Sequence, residues 1–276
     1  MSSSFSLLMG SAGFAFGRRV KSYLAGAQYT DPYWSNVTFL LTGDNLTDYS
    51  QYNRILTINS AYVNKTIKKF GTGSLAINDP AGVSIPNNIS YLLGNGDYTI
   101  EFWFKANTTT KPYATIFKIG SANGFGIACT RTGLYGSMTG NVITDTNVSG
   151  YTIYGYGSAD LQAAYDSGQW HHICITKNIS GLMVFIDGWI IGNPVVNVTN
   201  FSVTDIVIGA GLGSGFDGYI DDFRITAGVA RHTSNFLIDT LPVPYVKPIT
   251  SITPLLVGEL ATSFELSANS LLFMGA

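Results

Sequence analysis

The sequence predicts an all-β protein, a two-sheet antiparallel jelly-roll sandwich with extended N- and C-terminal arms. Three observations lead there. Short apolar runs recur along the chain, punctuated by 31 glycines, and the longest of them alternates with period 2. No stretch supplies the crossover helices of a parallel α/β fold. Charged residues are 12% of the 276, about half the usual share, so Ser, Thr, Asn and Gly must cover the surface. The net charge of −2 gives no field to recruit nucleic acid or an acidic membrane.

Residues 1–34 read as a docking arm: Leu7, Leu8, Phe14 and Phe16 are scattered apolar anchors in a Ser/Gly/Ala-rich background without period. The apolar run from Phe5 to Phe16 is too short to span a membrane, and its positive charges follow it, whereas a secretory signal puts them first. The chain therefore reads as made in the cytoplasm without a signal peptide, and the Asn-x-Ser/Thr sequons as a by-product of Asn/Thr-rich strands. Asp31-Pro32-Tyr33-Trp34 is a turn at the entry of a domain spanning 35–246. Val37 to Leu41 is its first core strand. Asp97 to Lys105 places Tyr98, Ile100, Phe102 and Phe104 on one face, with Thr99, Glu101, Trp103 and Lys105 on the other. Strands are expected at Ala114 to Ile119, Gly124 to Cys129, Leu134 to Met138, Trp170 to Lys177 and Leu182 to Ile186, and Asp187-Gly188 is a hairpin signal leading to Trp189. A single short helix is expected over Ala159 to Tyr165, with Ser158 as its N-cap. In Gly215 to Ile225, Phe223 and Ile225 share a face that a regular strand denies to Ile220. Either both faces are buried or a β-bulge at Asp221-Asp222 resets the register. Residues 247–276 form a Ser/Leu-rich tail.

Four pieces, in order, resemble the laminin-G-like branch of the concanavalin A-like lectin/glucanase superfamily. They are Gly73-Ser74-Leu75, Asp97 to Phe104, Trp170-His171-His172-Ile173 through Phe185-Ile186-Asp187-Gly188, and Gly218 to Ile225. Two further pieces, Asp31 to Val37 and Gly228 to Phe236, are similar to versions found in tailed-bacteriophage structural proteins. The resemblance implies a concanavalin A-like jelly roll, binding of glycans or proteins through the concave sheet and rim loops, and in some members a structural calcium ion. For the phage versions it implies a place on the virion surface, usually as a trimer.

Catalysis is not expected. Glucanases on this fold need two carboxylates across one groove, about 5 Å or about 6.5–9.5 Å apart. Glu101 has no acidic residue two positions away, and Glu259 and Glu265 lie in the tail. His171 and His172 project oppositely on a strand and so do not share a ligand. Cys129 and Cys174 read as small buried hydrophobes. Calcium is the favoured metal, at Asp97, Asp221 and Asp222 near strand ends. The competing reading pairs Asp222 with Arg224 or Arg231. Glycan contact is assigned to Trp103 with Glu101, and to Tyr151, Tyr154 and Tyr156 in a Gly-rich stretch. The competing reading packs Trp103 beneath a covering loop. The expected function is a non-enzymatic tail- or fibre-associated adhesion module contacting host-surface glycans, held to other virion proteins through 1–34 and 247–276. The alternative is a capsid decoration or cement protein pinned by those arms.

Overall fold

The alternating segment after Asp97 becomes strand β7 (Tyr98–Ala106), near the middle of one of two eight-stranded sheets. The computed structural model describes residues 20–21, 31–85, 96–107, 114–119, 126–130, 133–137, 151–153, 158–195, 206–209, 214–239 and 241–243. The first sheet runs β14 (Trp189–Val195), β13 (Gly181–Ile186), β12 (His171–Asn178), β7, β17 (Gly218–Ala227), β5 (Ser74–Ile77), β4 (Tyr62–Asn64), with β2 (Val37–Leu41) also paired to β17. The second runs β11 (Tyr151–Ile153), β10 (Gly133–Ser137), β9 (Gly126–Thr130), β8 (Ala114–Ile119), β15 (Ile206–Ile208), β6 (Gly82–Ile85), β3 (Thr57–Asn59), with β16 (Ser214–Gly215) against β8. β16 pairs in parallel with β8, and β1 (Val20–Lys21) lies parallel to β18 (Ile238–Asp239) apart from both sheets; the other strand pairs described are antiparallel. This is the expected all-β sandwich of antiparallel sheets. The expected helix is α1 (Ser158–Asp166), which buries Leu161, Ala164 and Tyr165 in the core.

Side chains from both sheets meet in one apolar cluster. At its centre Phe102 of β7 stacks on Phe223 of β17 at 5.2 Å, and Phe117 of β8 meets both edge-on at 5.5 Å. Edge-to-face and offset contacts at this spacing are the arrangements aromatic quadrupoles favour.

Strand β17 settles the parity conflict. Ile220, Phe223 and Ile225 all belong to the core cluster, although 220 and 223 are an odd number of residues apart. A register shift against β7 between Asp221 and Arg224 absorbs the extra residue, and Asp222 adopts a left-handed φ of 48°. The bulge has a structural cause. Along its other edge β17 pairs first with β5, through Gly218 to Ile220, and then with β2, through Phe223 to Thr226. Asp221 and Asp222 occupy the handover between the two partners.

The outer face of the first sheet differs from its sequence pattern. Thr99, Glu101 and Trp103 are buried rather than solvated. A strap of residues 228–239 crosses that face after β17, tied down where Gly228 N–H donates to Asp97 O (2.7 Å), Arg231 N–H to Thr99 Oγ1 (2.9 Å) and Phe236 N–H to Gly188 O (2.9 Å).

Gly188 fixes the strap's far end. The Asp187-Gly188 turn has φ of 51° and 83°, and a Cβ at 188 would lie 2.2 Å from the Phe236 carbonyl oxygen. Gly188→Ala is expected to lower the stability measured by urea denaturation by about 1–3 kcal/mol. Gly96→Ala, where an added Cβ meets nothing within 4 Å, should stay within about 0.5 kcal/mol of the parent.

Candidate functional site

Cross-strand pairing sets one row of the covered face. Cys174 lies opposite Glu101 on β7, and Glu101 lies opposite Arg224 on β17. Arg224 donates from Nε (3.0 Å) and Nη2 (2.8 Å) to Glu101 Oε1, and from Nη1 (2.9 Å) to Asp31 Oδ2. Arg231 of the strap completes the square, donating from Nη1 and Nη2 to the two oxygens of Asp31 at 2.9 and 2.7 Å and from Nε to Thr226 Oγ1 at 2.7 Å. Two guanidinium groups and two carboxylates thus share one desolvated site. Burial alone would push the Glu101 carboxyl up, but Arg224 and then Arg231 hold it down to about 2. Burial acts the same way on Asp31, where the Arg231 hydrogen bond and the Arg224 charge prevail and lower its pKa. His172 projects to the same side, its Nε2 3.7 Å from Glu101 Oε2. Burial, opposed by Glu101, lowers its pKa.

Trp103 and Glu101, assigned to glycan contact, are both buried, and Trp103 lies packed under a cover as its competing reading has it. Trp103 is 4% exposed, enclosed by Phe70 (5.8 Å between rings), His172 (5.2 Å) and the Lys69 ammonium over its indole (3.9 Å). Tyr151 sits in β11 opposite Ser137. Its side chain, and all of Tyr154 and Tyr156, lie outside the described residues.

The three aspartates read as calcium ligands do not converge. Asp97 precedes Tyr98, which pairs with Ala227, whereas Asp221 pairs with Trp103. Six residue steps separate the two positions, roughly 20 Å at about 3.3 Å each. The Asp221 carboxylate is surrounded by donors: Oδ2 accepts from Lys69 N–H (2.9 Å) and Phe70 N–H (3.1 Å), Oδ1 from Asp222 N–H (3.0 Å). Calcium wants six to eight oxygens, so an amide-lined carboxylate serves instead as an anchor for the 69–70 loop. Burial pushes Asp221 up to about 7, against those amides. Burial, then the Asp221 charge, raises Asp222 well above the carboxylate range. Asp222 accepts Val243 N–H at 2.7 Å; the Arg224 hydrogen bonds go to Glu101 and Asp31, and its charge lowers the Asp222 carboxyl against the burial.

The two histidines do part, as alternation demands. His171 Nε2 lies 2.7 Å from Ser167 Oγ, and Nδ1 2.8 Å from Asp187 Oδ2. The order matches a Ser-His-Asp triad, but the placement opposes that chemistry. Ser167 follows the C-terminal end of α1, where carbonyls face outward and Ala164 O accepts from its Oγ at 2.9 Å. The negative pole of a helix disfavours the oxyanion that a triad must stabilise. The chain of bonds instead staples α1 and β12 to the β13–β14 turn.

That turn presents the feature the sequence did not reveal. Trp189, 61% exposed, faces Asn235, Phe236 and Leu237 of the strap across a groove of about 310 Å³. Asn235 Oδ1 accepts Ile190 N–H at 2.8 Å, which fixes the amide and leaves its NH2 without a partner among the described residues. The hairpin itself was legible from Asp187-Gly188. The exposure of Trp189 was not, because a Trp opening a strand reads as core.

A family model described as the concanavalin A-like lectin/glucanases superfamily matches residues 78–231, more than half of the 276-residue chain. No curated protein matches. Among solved structures, the binding domain of botulinum neurotoxin DC in complex with rat synaptotagmin II is 21% identical at a TM-score of 0.50, over 70% of this chain and 48% of that one. A mutant of HCR/D is 18% identical at 0.51, over 74% and 50%. Domain 4 of AbnA, an extracellular arabinanase from Geobacillus stearothermophilus in complex with arabinotriose, is 17% identical at 0.49, over 70% and 93%. The chain spans about half the length of the toxin and HCR/D structures, and the likeness is one of fold.

Two outcomes are expected. Glu101→Gln leaves two buried guanidinium groups undercompensated and should cost about 3–5 kcal/mol in urea denaturation. The second concerns pH. Glu101, held to about 2 against an ordinary 4.5, stabilises the fold above pH 4.5, and that contribution is lost as pH falls toward 2. Asp221, raised to about 7 from 3.8, favours folding below pH 3.8, and that contribution is lost as pH rises through 7. Asp222 acts in the same sense as Asp221, while His172, whose pKa burial lowers from the ordinary 6.5, opposes them below pH 6.5. The urea midpoint should therefore peak at about pH 4–5 and fall by pH 7.5; a midpoint rising across that range contradicts the assignment.

Proposed function

Because the chain belongs to the concanavalin A-like lectin/glucanases superfamily, we propose that it is a non-enzymatic adhesion module of a tailed-phage virion, contacting host-surface glycans. The observation that carries this reading is Trp189. Its exposed indole stands on a turn pinned by Gly188, beside an amide oriented by a backbone N–H. A pyranose offers a C–H face that stacks on an indole and hydroxyls that accept from an amide, and a small number of placed polar groups beside an aromatic wall is how such ligands are oriented. Trp103 and Glu101 leave this role to Trp189, while Tyr151, Tyr154 and Tyr156 remain in the proposal as a second contact. The phage setting rests on the pieces Asp31 to Val37 and Gly228 to Phe236. These supply Asp31 and Arg231 to the buried square and Asn235 and Phe236 to the groove. Of the arm read over 1–34, Asp31 is folded into the buried square; the residues before it and 247–276 dock onto other virion proteins, and the particle carries the protein on its surface as a homotrimer.

A second reading, a capsid decoration or cement protein, draws on Leu237 and Leu241, 38% and 39% exposed, apolar surface beyond what a sugar needs. Copies per virion separate the two: roughly hundreds imply decoration, and a few to tens a tail appendage.

On a glycan array the protein should bind a defined set of sugars, and Trp189→Ala should abolish that binding with its melting temperature within about 2 °C of the parent. An array without binding, or one unchanged by Trp189→Ala, removes the groove as a glycan site.

A further inference from the structure

Beneath the strap lies a cavity of about 30 Å³, walled by Glu101 and Arg224 of the ion square, Phe236 of the groove, and His172, Asp222 and His232. We propose that Glu101, Cys174 and His232 bind a zinc ion there, its fourth coordination position turned into this cavity.

Three elements bring the donors together. Glu101 and Cys174 face each other across β7 and β12 on the covered side, and His232 comes down from the strap. One carboxylate oxygen, the thiol sulfur and one ring nitrogen lie within 4.8 Å of one another. Bonds of about 2.0–2.3 Å put the ligand atoms of a tetrahedral zinc site roughly 3.3–3.8 Å apart, so side-chain adjustment alone closes the set. A thiolate, an imidazole and one carboxylate are a zinc-type donor set, whereas calcium and magnesium take oxygen. Neighbours hold the donors in place. His232 stacks on Phe236 at 3.5 Å between rings, and Cys174 packs with Met183 and Phe185. Arg224 occupies Glu101 Oε1, which leaves Oε2 for the ion.

The second observation is independent of the donors. His172 Nδ1 and Asp222 Oδ1 are buried, find no hydrogen-bond partner among the described residues, and belong to residues lining the same cavity. Burying such atoms unpaired is costly. A water on the fourth position of zinc has two hydrogens, one to donate to Asp222 Oδ1 and one to His172 Nδ1, and about 30 Å³ accommodates it. As the zinc–sulfur bond forms, the Cys174 proton leaves to bulk solvent. The ion would fasten the strap, through His232, directly to the sheet.

Cobalt is the probe. Full-length, chelator-treated protein titrated with Co²⁺ should take up a single equivalent. It should show the visible bands of tetrahedral cobalt and a thiolate-to-cobalt charge-transfer band, and Zn²⁺ should displace both. Cys174→Ala should lose the charge-transfer band, and Cys129→Ala should keep it. His232→Ala, at a partly exposed position, should weaken cobalt binding at least as much as the roughly 10–100-fold lost with a second-shell partner. If Cys174→Ala does not fold by circular dichroism, His232→Ala decides. No cobalt bands in the parent, a charge-transfer band surviving in Cys174→Ala, or unchanged affinity in His232→Ala each overturns the proposal.

Discussion

Glu101 Oε1 accepting two hydrogen bonds from Arg224 is the contact on which the covered face depends. Around it the sheet, the segment entering at Asp31 and the strap leaving after β17 all contribute a charge. Each charge alone would be prohibitively costly under a cover, and the four are tolerable because every acid faces a guanidinium. The square is weak evidence for added stability, since well-packed apolar residues often serve as well as a buried ion pair. What it does supply is position. Two chain segments from opposite ends of the domain meet at one point and fit there in one register.

Position is what the exposed groove needs. Phe236 and Asn235 reach the Asp187-Gly188 turn because Arg231, a few residues earlier, is anchored to Asp31. The turn is braced from the other side by His171 against Asp187. Trp189 is therefore held between two fixed supports, and a ligand meeting it need not order a loop, a cost that otherwise subtracts from affinity. The bulge at Asp221-Asp222 serves the same face: it passes β17 from one partner strand to the next and aims Asp221 at the amides of Lys69 and Phe70, which close over Trp103.

Much of the sandwich was legible because its signals are local. Tyr98, Ile100, Phe102 and Phe104 alternate, Asp187-Gly188 demands a positive-φ hairpin, and the parity of Ile220 against Phe223 requires a bulge. The covered face was not legible, because its partners are remote in sequence: 123 residues separate Arg224 from Glu101 and 200 separate Arg231 from Asp31. Read alone, Thr99-x-Glu101-x-Trp103-x-Lys105 has the composition of a solvated or sugar-binding face. A hint did exist: Glu101 is the sole glutamate of residues 35–246, and Asp31 and Arg231 sit in the segments that flank the core strands on either side. Pairing them from sequence requires knowing that the strap folds back over β7.

Native-state hydrogen exchange on Asp31→Asn tests the central claim, that the entering segment and the strap are held as one unit by the buried square. The substitution leaves the strap's own backbone bonds untouched. The account predicts that the amides of Arg231 and Phe236 nevertheless lose protection together and by the same free energy. Unchanged protection at Arg231 and Phe236 would contradict it.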